Sequence, residues 1–143
     1  MPKEKVHADE LDGIVREHLR NEGYQLLRPK KPVGAGGADI VALKGDEQIC
    51  IEVISYKLSG QARARDFFQA FWQAISRLED PRTRRCVIAL DYQSKGGLPA
   101  RVDLHREGWK RIGEAFPELE IWFVNREVRT IEKHRWSECL NIA

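Results

Sequence analysis

Apolar positions along this chain change their spacing several times, and each change marks an element. From about residue 8 to 22, Leu11, Ile14, Val15 and Leu19 recur at helical spacing, and Gly23 supplies a stop. Tyr24 to Leu27 makes a short first strand. The next ten residues, RPKKPVGAGG, hold two prolines and three glycines and predict a loop. Two short Ile- and Val-rich runs follow, Ile40 to Leu43 and Ile49 to Tyr56, joined by the polar turn Lys44 to Glu47, which predicts a hairpin. After Ser59-Gly60 the spacing is helical again through about Leu78. Phe67, Phe68, Phe71, Trp72, Ile75 and Leu78 form one broad apolar stripe there, which predicts core. Asp80-Pro81 ends that helix. Cys86 to Leu90 is a continuous apolar run, as expected of a strand covered on both faces. Pro99 opens a helix that runs to about Phe116 with Val102, Trp109, Ile112 and Phe116 inward, and Leu119 to Val124 is a fifth strand. The tail from Arg126, with Val128, Ile131 and Trp136, fits either a strand or a short helix packing back.

The order helix, three strands, helix, strand, helix, strand and tail predicts an α/β fold with a mixed central sheet of about five strands flanked by helices. At 143 residues the chain reads as one domain, 1–143, long enough to bury a core. With 42% hydrophobic and 32% charged residues it is globular rather than disordered. No apolar run approaches the ~20 residues that span a bilayer, and the polar start MPKEKVHADE lacks a signal core, so a cytoplasmic location without membrane contact is expected. Cys50, Cys86 and Cys139 are odd in number and without a CxxC pair, which argues against a disulfide framework or zinc site. Cys50 and Cys86 read as small core residues. A net charge of +2 does not announce a nucleic-acid binder. The cations do cluster, as Arg28, Lys30 and Lys31, as Arg82, Arg84 and Arg85, as Arg101, Arg106, Lys110 and Arg111, and as Arg126, Arg129, Lys133 and Arg135. Solvated faces balanced by glutamates account for such groups.

Two acids interrupt the hairpin. Asp39 stands at the mouth of its first strand and Glu52 lies inside the second. A carboxylate within a sheet strand is costly unless compensated, and a divalent cation shared by two acids is one compensation; pairing with arginines is the other. Asp39, the hairpin and then Glu52-Val53-Ile54 resemble the PD-(D/E)xK nuclease superfamily, most closely archaeal Holliday junction resolvases and Mrr-type restriction endonucleases. Motif-level likeness covers residues about 10 to 57, and element order extends it to about 90. It implies a restriction-endonuclease-like core, a metal-dependent DNA endonuclease or junction-resolvase-like phosphodiester hydrolase, and action as a homodimer. It also implies Mg²⁺, with Mn²⁺ as a substitute, held by Asp39, Glu52 and the carbonyl of Val53. Asp12 aligns with a helix acid that points at the metal in the resolvases, although Glu10 competes for that role and an acid in a first helical turn suits the macrodipole anyway. Lys30, Lys31, Tyr56, Arg63, Arg65 and Gln69 are the candidate DNA contacts.

One departure matters. Ile54 stands where the superfamily has its catalytic lysine. Three readings remain open. The cation has moved, to Lys57, Lys44, Arg63 or Arg65; or the metal works alone; or catalysis is lost and the domain binds nucleic acid or a protein partner. Strand parity sets Glu52, Ile54 and Tyr56 on one face and Lys57 on the other, which counts against Lys57 unless a bulge intervenes. No Walker A loop, dinucleotide fingerprint, HExxH or nucleophile elbow is present.

Overall fold

A computed structural model describes residues 3–29 and 38–142, with side chains from His7 onward. Helix α1 (Lys3–Asn21) leads into β1 (Gln25–Leu26), β2 (Ile40–Lys44) and β3 (Glu47–Ile54); α2 (Gly60–Ser76) then connects to β4 (Thr83–Asp91). Helices α3 (Leu98–Leu104) and α4 (Arg106–Ala115) precede β5 (Leu119–Asn125) and β6 (Thr130–Arg135). Among the described residues the strands form one six-stranded sheet in the order β1-β2-β3-β4-β5-β6. Its centre, β3-β4-β5, is parallel, and its margins pair antiparallel.

The parallel strands are covered on both faces, which is why they read as unbroken apolar runs. On one face α1 lays Leu11, Ile14, Val15 and Leu19 against Ile49, Ile51, Val87, Ala89, Trp122 and Val124. On the other, α2, α3 and α4 cover Cys86, Ile88, Leu90, Ile121 and Phe123. Trp109 of α4 and Trp136 of the tail stack with ring centroids 3.8 Å apart. Each indole N–H donates to the other residue's carbonyl, at 2.8 and 2.9 Å, and this docks the chain end onto α4. Gly23 (φ +92°) closes α1 and Gly45 (φ +61°) turns the hairpin, both in left-handed conformations that glycine adopts without strain.

The α/β architecture and the element order agree with the sequence, with four revisions. The sheet has six strands rather than about five, because the tail supplies both alternatives, β6 and a 3-10 turn over Trp136–Asn141. The helix expected from Pro99 to Phe116 breaks at His105 into two. Helix α1 begins at Lys3, so Asp12 lies well inside it and the macrodipole does not explain that acid. The broad aromatic stripe of α2 is not all core: Phe67, Ala70 and Ala74 form the buried seam, while Phe68 and Trp72 are 56% and 71% exposed. Two alanines let α2 approach the sheet closely, so a narrow seam suffices and residues 68 and 72 turn away from it. The three cysteines are buried and free, as expected of core residues, and burial pushes the Cys86 and Cys139 thiols up to about 12. No helix among the described residues is long and apolar enough to cross a membrane.

Candidate metal and phosphate site

The hairpin brings the two acids together. Pairing of β2 with β3 ends at Ile40 opposite Ile51, so Asp39 falls just past the last rung and Glu52 just past it on the partner strand. Asp39 Oδ2 accepts the backbone N–H of Val53 at 2.8 Å, which holds its carboxylate at the edge of β3 beside Glu52. Both acids line one cleft under α2, together with Val53, Ile54, Asp66, Gln69 and Gln73.

Glu52 is 3% exposed, in the same cross-strand row as Ile88. Its Oε1 accepts a hydrogen bond from Arg77 Nη2 at 2.8 Å. Among the described residues its buried Oε2 has no hydrogen-bond partner, and neither does Arg77 Nε. Half of a bidentate guanidinium–carboxylate fork is therefore unused. A buried carboxylate oxygen without a partner costs about 1–3 kcal/mol, and a cation or a proton relieves that cost. Burial raises the Glu52 pKa above the ordinary value; Arg77 opposes the rise, the Asp39 charge adds to it, and a hydrogen bond from the Asp39 backbone opposes it. Hard oxygen donors of this kind suit Mg²⁺, which keeps most of its coordination as water. Among the described residues no group of three or more His, Cys, Asp or Glu is placed to hold a metal. The protein's share would therefore be the two acids and the neighbouring backbone.

Asp12 belongs to a different circuit. It pairs with Arg16 Nε at 2.7 Å, and Arg16 donates in turn to the carbonyls of Arg28 (3.0 Å) and Asp39 (3.1 Å). Arg28 donates to the Ala38 carbonyl at 2.9 Å. Asp12 thus reaches Asp39 through a buried arginine and its backbone, and the pair anchors the start of β2 to α1. Burial raises the Asp12 pKa, with Arg16 opposing and Asp39 adding.

Ile54 packs against the α2-side core. The strand ends there, so the parity argument against Lys57 does not hold: its Nζ lies 3.5 Å from Asp66 Oδ2, on the wall of the acid cleft. Arg65 also approaches Asp66, at 3.6 Å. Gln69 and Gln73 line the cleft. Arg63 and Tyr56 line a separate pocket, the guanidinium 4.8 Å above the phenol ring. Lys44 lies at the far end of the hairpin, over the Tyr24 ring. Lys30 and Lys31 fall outside the described residues. Sequence reading missed Arg77, a cation that touches Glu52 directly. It follows Glu52 by 25 residues, at a helix end where a cation also suits the dipole, so nothing local singled it out.

The fold has solved counterparts. An XisH family protein from Nostoc punctiforme PCC 73102 superposes with a TM-score of 0.58 at 20% identity, over 87% of this chain and 97% of that one. A fdxN element excision controlling factor protein from Anabaena variabilis gives 0.59 at 19% identity, over 87% and 96%. The chain shares their α/β, restriction-endonuclease-like architecture. No family model matches the chain, and no curated protein matches it in sequence.

Proposed function

We propose that this protein is a Mg²⁺-dependent DNA endonuclease or junction-resolvase-like phosphodiester hydrolase of the PD-(D/E)xK type, with Asp39 and Glu52 as metal ligands. The observation that carries this reading is the buried Oε2 of Glu52, which has no hydrogen-bond partner among the described residues and shares a cleft with Asp39 at the edge of β3. A bound Mg²⁺ would supply acidification of a water and stabilisation of charge on the scissile phosphate. Glu52 keeps Oε2 available while Arg77 holds Oε1. Arg77 brings to the acid pair the positive charge that Ile54 lacks, and so takes the lysine's place from a different element. Val53 orients Asp39 through its N–H, and Arg16 fixes the backbone from which Asp39 projects. Gln69 and Gln73 offer neutral donors and acceptors along the cleft to a substrate.

The Arg77–Glu52 bond also favours a second reading. An ion pair can compensate Glu52 without any metal, and the domain then binds nucleic acid or a protein partner without cutting. Cleavage of supercoiled plasmid and of a synthetic four-way junction, with Mg²⁺ or Mn²⁺, separates the two. We expect metal-dependent cutting by the wild type that falls below detection in Asp39→Ala and in Glu52→Ala. Salt-sensitive DNA binding without cutting would establish the second reading. Absence of both would overturn the nuclease and the nucleic-acid readings and leave a protein partner.

A further inference from the structure

A second pocket adjoins the acid cleft and carries the opposite charge. It opens at the C-terminal ends of β3 and β4, and shares Ile54 and Asp66 with the cleft as a common wall. Arg63, from the first turn of α2, and Arg101, from α3, both line it. Arg101 lays its guanidinium over Phe67 (4.9 Å) and Phe68 (5.8 Å). Its Nη1 is buried and meets no acceptor among the described residues. Arg63 is fixed by donating Nη1 to the carbonyls of Lys57 (2.7 Å) and Leu58 (2.9 Å), and among the described residues no carboxylate pairs with it. The one acid on the wall, Asp66, is engaged by Lys57 and Arg65. Several arginines elsewhere pair with acids: Arg82 with Asp80, Arg85 with Glu120, Arg106 with Asp103, Arg126 with Asp91. Two arginines facing one pocket without such a partner are an arrangement that folding alone does not favour. Burial, and next the charge of Arg63, lower the Arg101 pKa from its ordinary value.

We propose that the Arg63–Arg101 pocket is a phosphate-binding site that holds a backbone phosphate of nucleic acid beside the Asp39–Glu52 cleft. A phosphate offers several acceptor oxygens to two guanidinium forks at once, relieves their mutual repulsion, and satisfies the orphaned Arg101 N–H. Ser55, Gln93 and Ser94 line the same pocket and add neutral donors. That an anion binds here does not depend on cleavage; that the anion is a backbone phosphate rests on the proposed function.

Inorganic phosphate titrated into the ¹⁵N-labelled protein, against acetate at equal ionic strength, tests the site. We expect phosphate-specific shifts at Ser55, Gln93, Ser94 and Gly97 that vanish in Arg101→Gln and persist, weakened, in Arg101→Lys. Asp39→Ala should keep the phosphate response while losing cleavage, so the two ideas fail separately. No phosphate-specific shift in the wild type, or an undiminished one in a folded Arg101→Gln, overturns the site. Binding of labelled duplex DNA in EDTA then identifies the source of the phosphate. Arg101→Gln should weaken it about tenfold and lower the salt slope by about one. A phosphate response with unchanged DNA affinity overturns the backbone assignment and leaves free phosphate as the ligand.

Discussion

The two ends of the parallel strands treat charge in opposite ways. At the N-terminal end, Arg85 donates to both oxygens of Glu120 at 2.6 and 2.8 Å and to the Tyr24 hydroxyl at 3.0 Å. Tyr24 donates to Glu47, and the Trp122 indole donates to Glu120. Among the described residues His18 is the loose group there, its Nε2 3.0 Å from Glu22 outside hydrogen-bonding geometry. Toward the C-terminal end, Glu52 Oε2 and Arg101 Nη1 are buried and unmatched among the described residues, as is Arg77 Nε, which reaches Glu52 from the far end of α2 where the chain enters β4. A network closed on itself stabilises and specifies the fold, whereas open valences in a cleft are where ligands add free energy. The contrast distinguishes scaffold from site within one sheet.

Removing Arg77 should have the largest effect on stability. Arg77→Met leaves a buried carboxylate with no partner, at a cost of about 3 kcal/mol at alkaline pH. The Glu52 pKa is already raised in the wild type, by burial first, and loss of Arg77 raises it further. The folded state then holds a proton that the unfolded chain releases near the ordinary glutamate value. The deficit is therefore full above the raised folded value and shrinks as pH falls through it. Urea unfolding in EDTA at pH 8 and pH 5 checks this. A deficit equal at both would mean that Glu52 is not the group left stranded.

A smaller loss is expected at the closed end. Arg85→Met removes three hydrogen bonds but leaves Glu120 its indole donor and Glu47 its phenol, and should cost about 2 kcal/mol. Metal-dependent activity and phosphate response per folded molecule should stay at wild-type levels. Altered activity in a variant that remains folded would break the division of labour between the two ends.

That division could not be read in the sequence, although much of the scaffold could. Ile40 to Leu43 and Ile49 to Ile54 declare a hairpin through their Ile/Val content and the Gly45 turn, and Cys86 to Leu90 declares a strand covered on both faces. Those signals are local. Strand β6, TIEKHR, carries no such alternation and becomes a strand by pairing with β5 at the sheet margin. The acids Asp39 and Glu52 stood out because charge inside an apolar hairpin is anomalous. Arg77 and Arg101 did not, because an arginine on a helix is ordinary until the fold shows what it faces. Phe68 and Trp72 misled for the related reason that helical spacing records a stripe but not how wide a seam the sheet covers.

The smallest effect expected is a gain. Arg101 buries a guanidinium nitrogen without an acceptor among the described residues and faces Arg63, so its charge opposes folding. Methionine keeps an unbranched apolar stem against Phe67 and Phe68 while removing that charge. Arg101→Met should therefore raise stability by about 1 kcal/mol. A group kept against its own contribution to stability has a ligand as its physical justification, so the same variant should lose the phosphate response. Measured by thermal unfolding without phosphate, a loss comparable to that of Arg85→Met would make Arg101 part of the scaffold and erase the contrast between the two ends. A gain that disappears when saturating phosphate stabilises the wild type alone would sharpen it, because binding to the folded state adds stability only where the site survives.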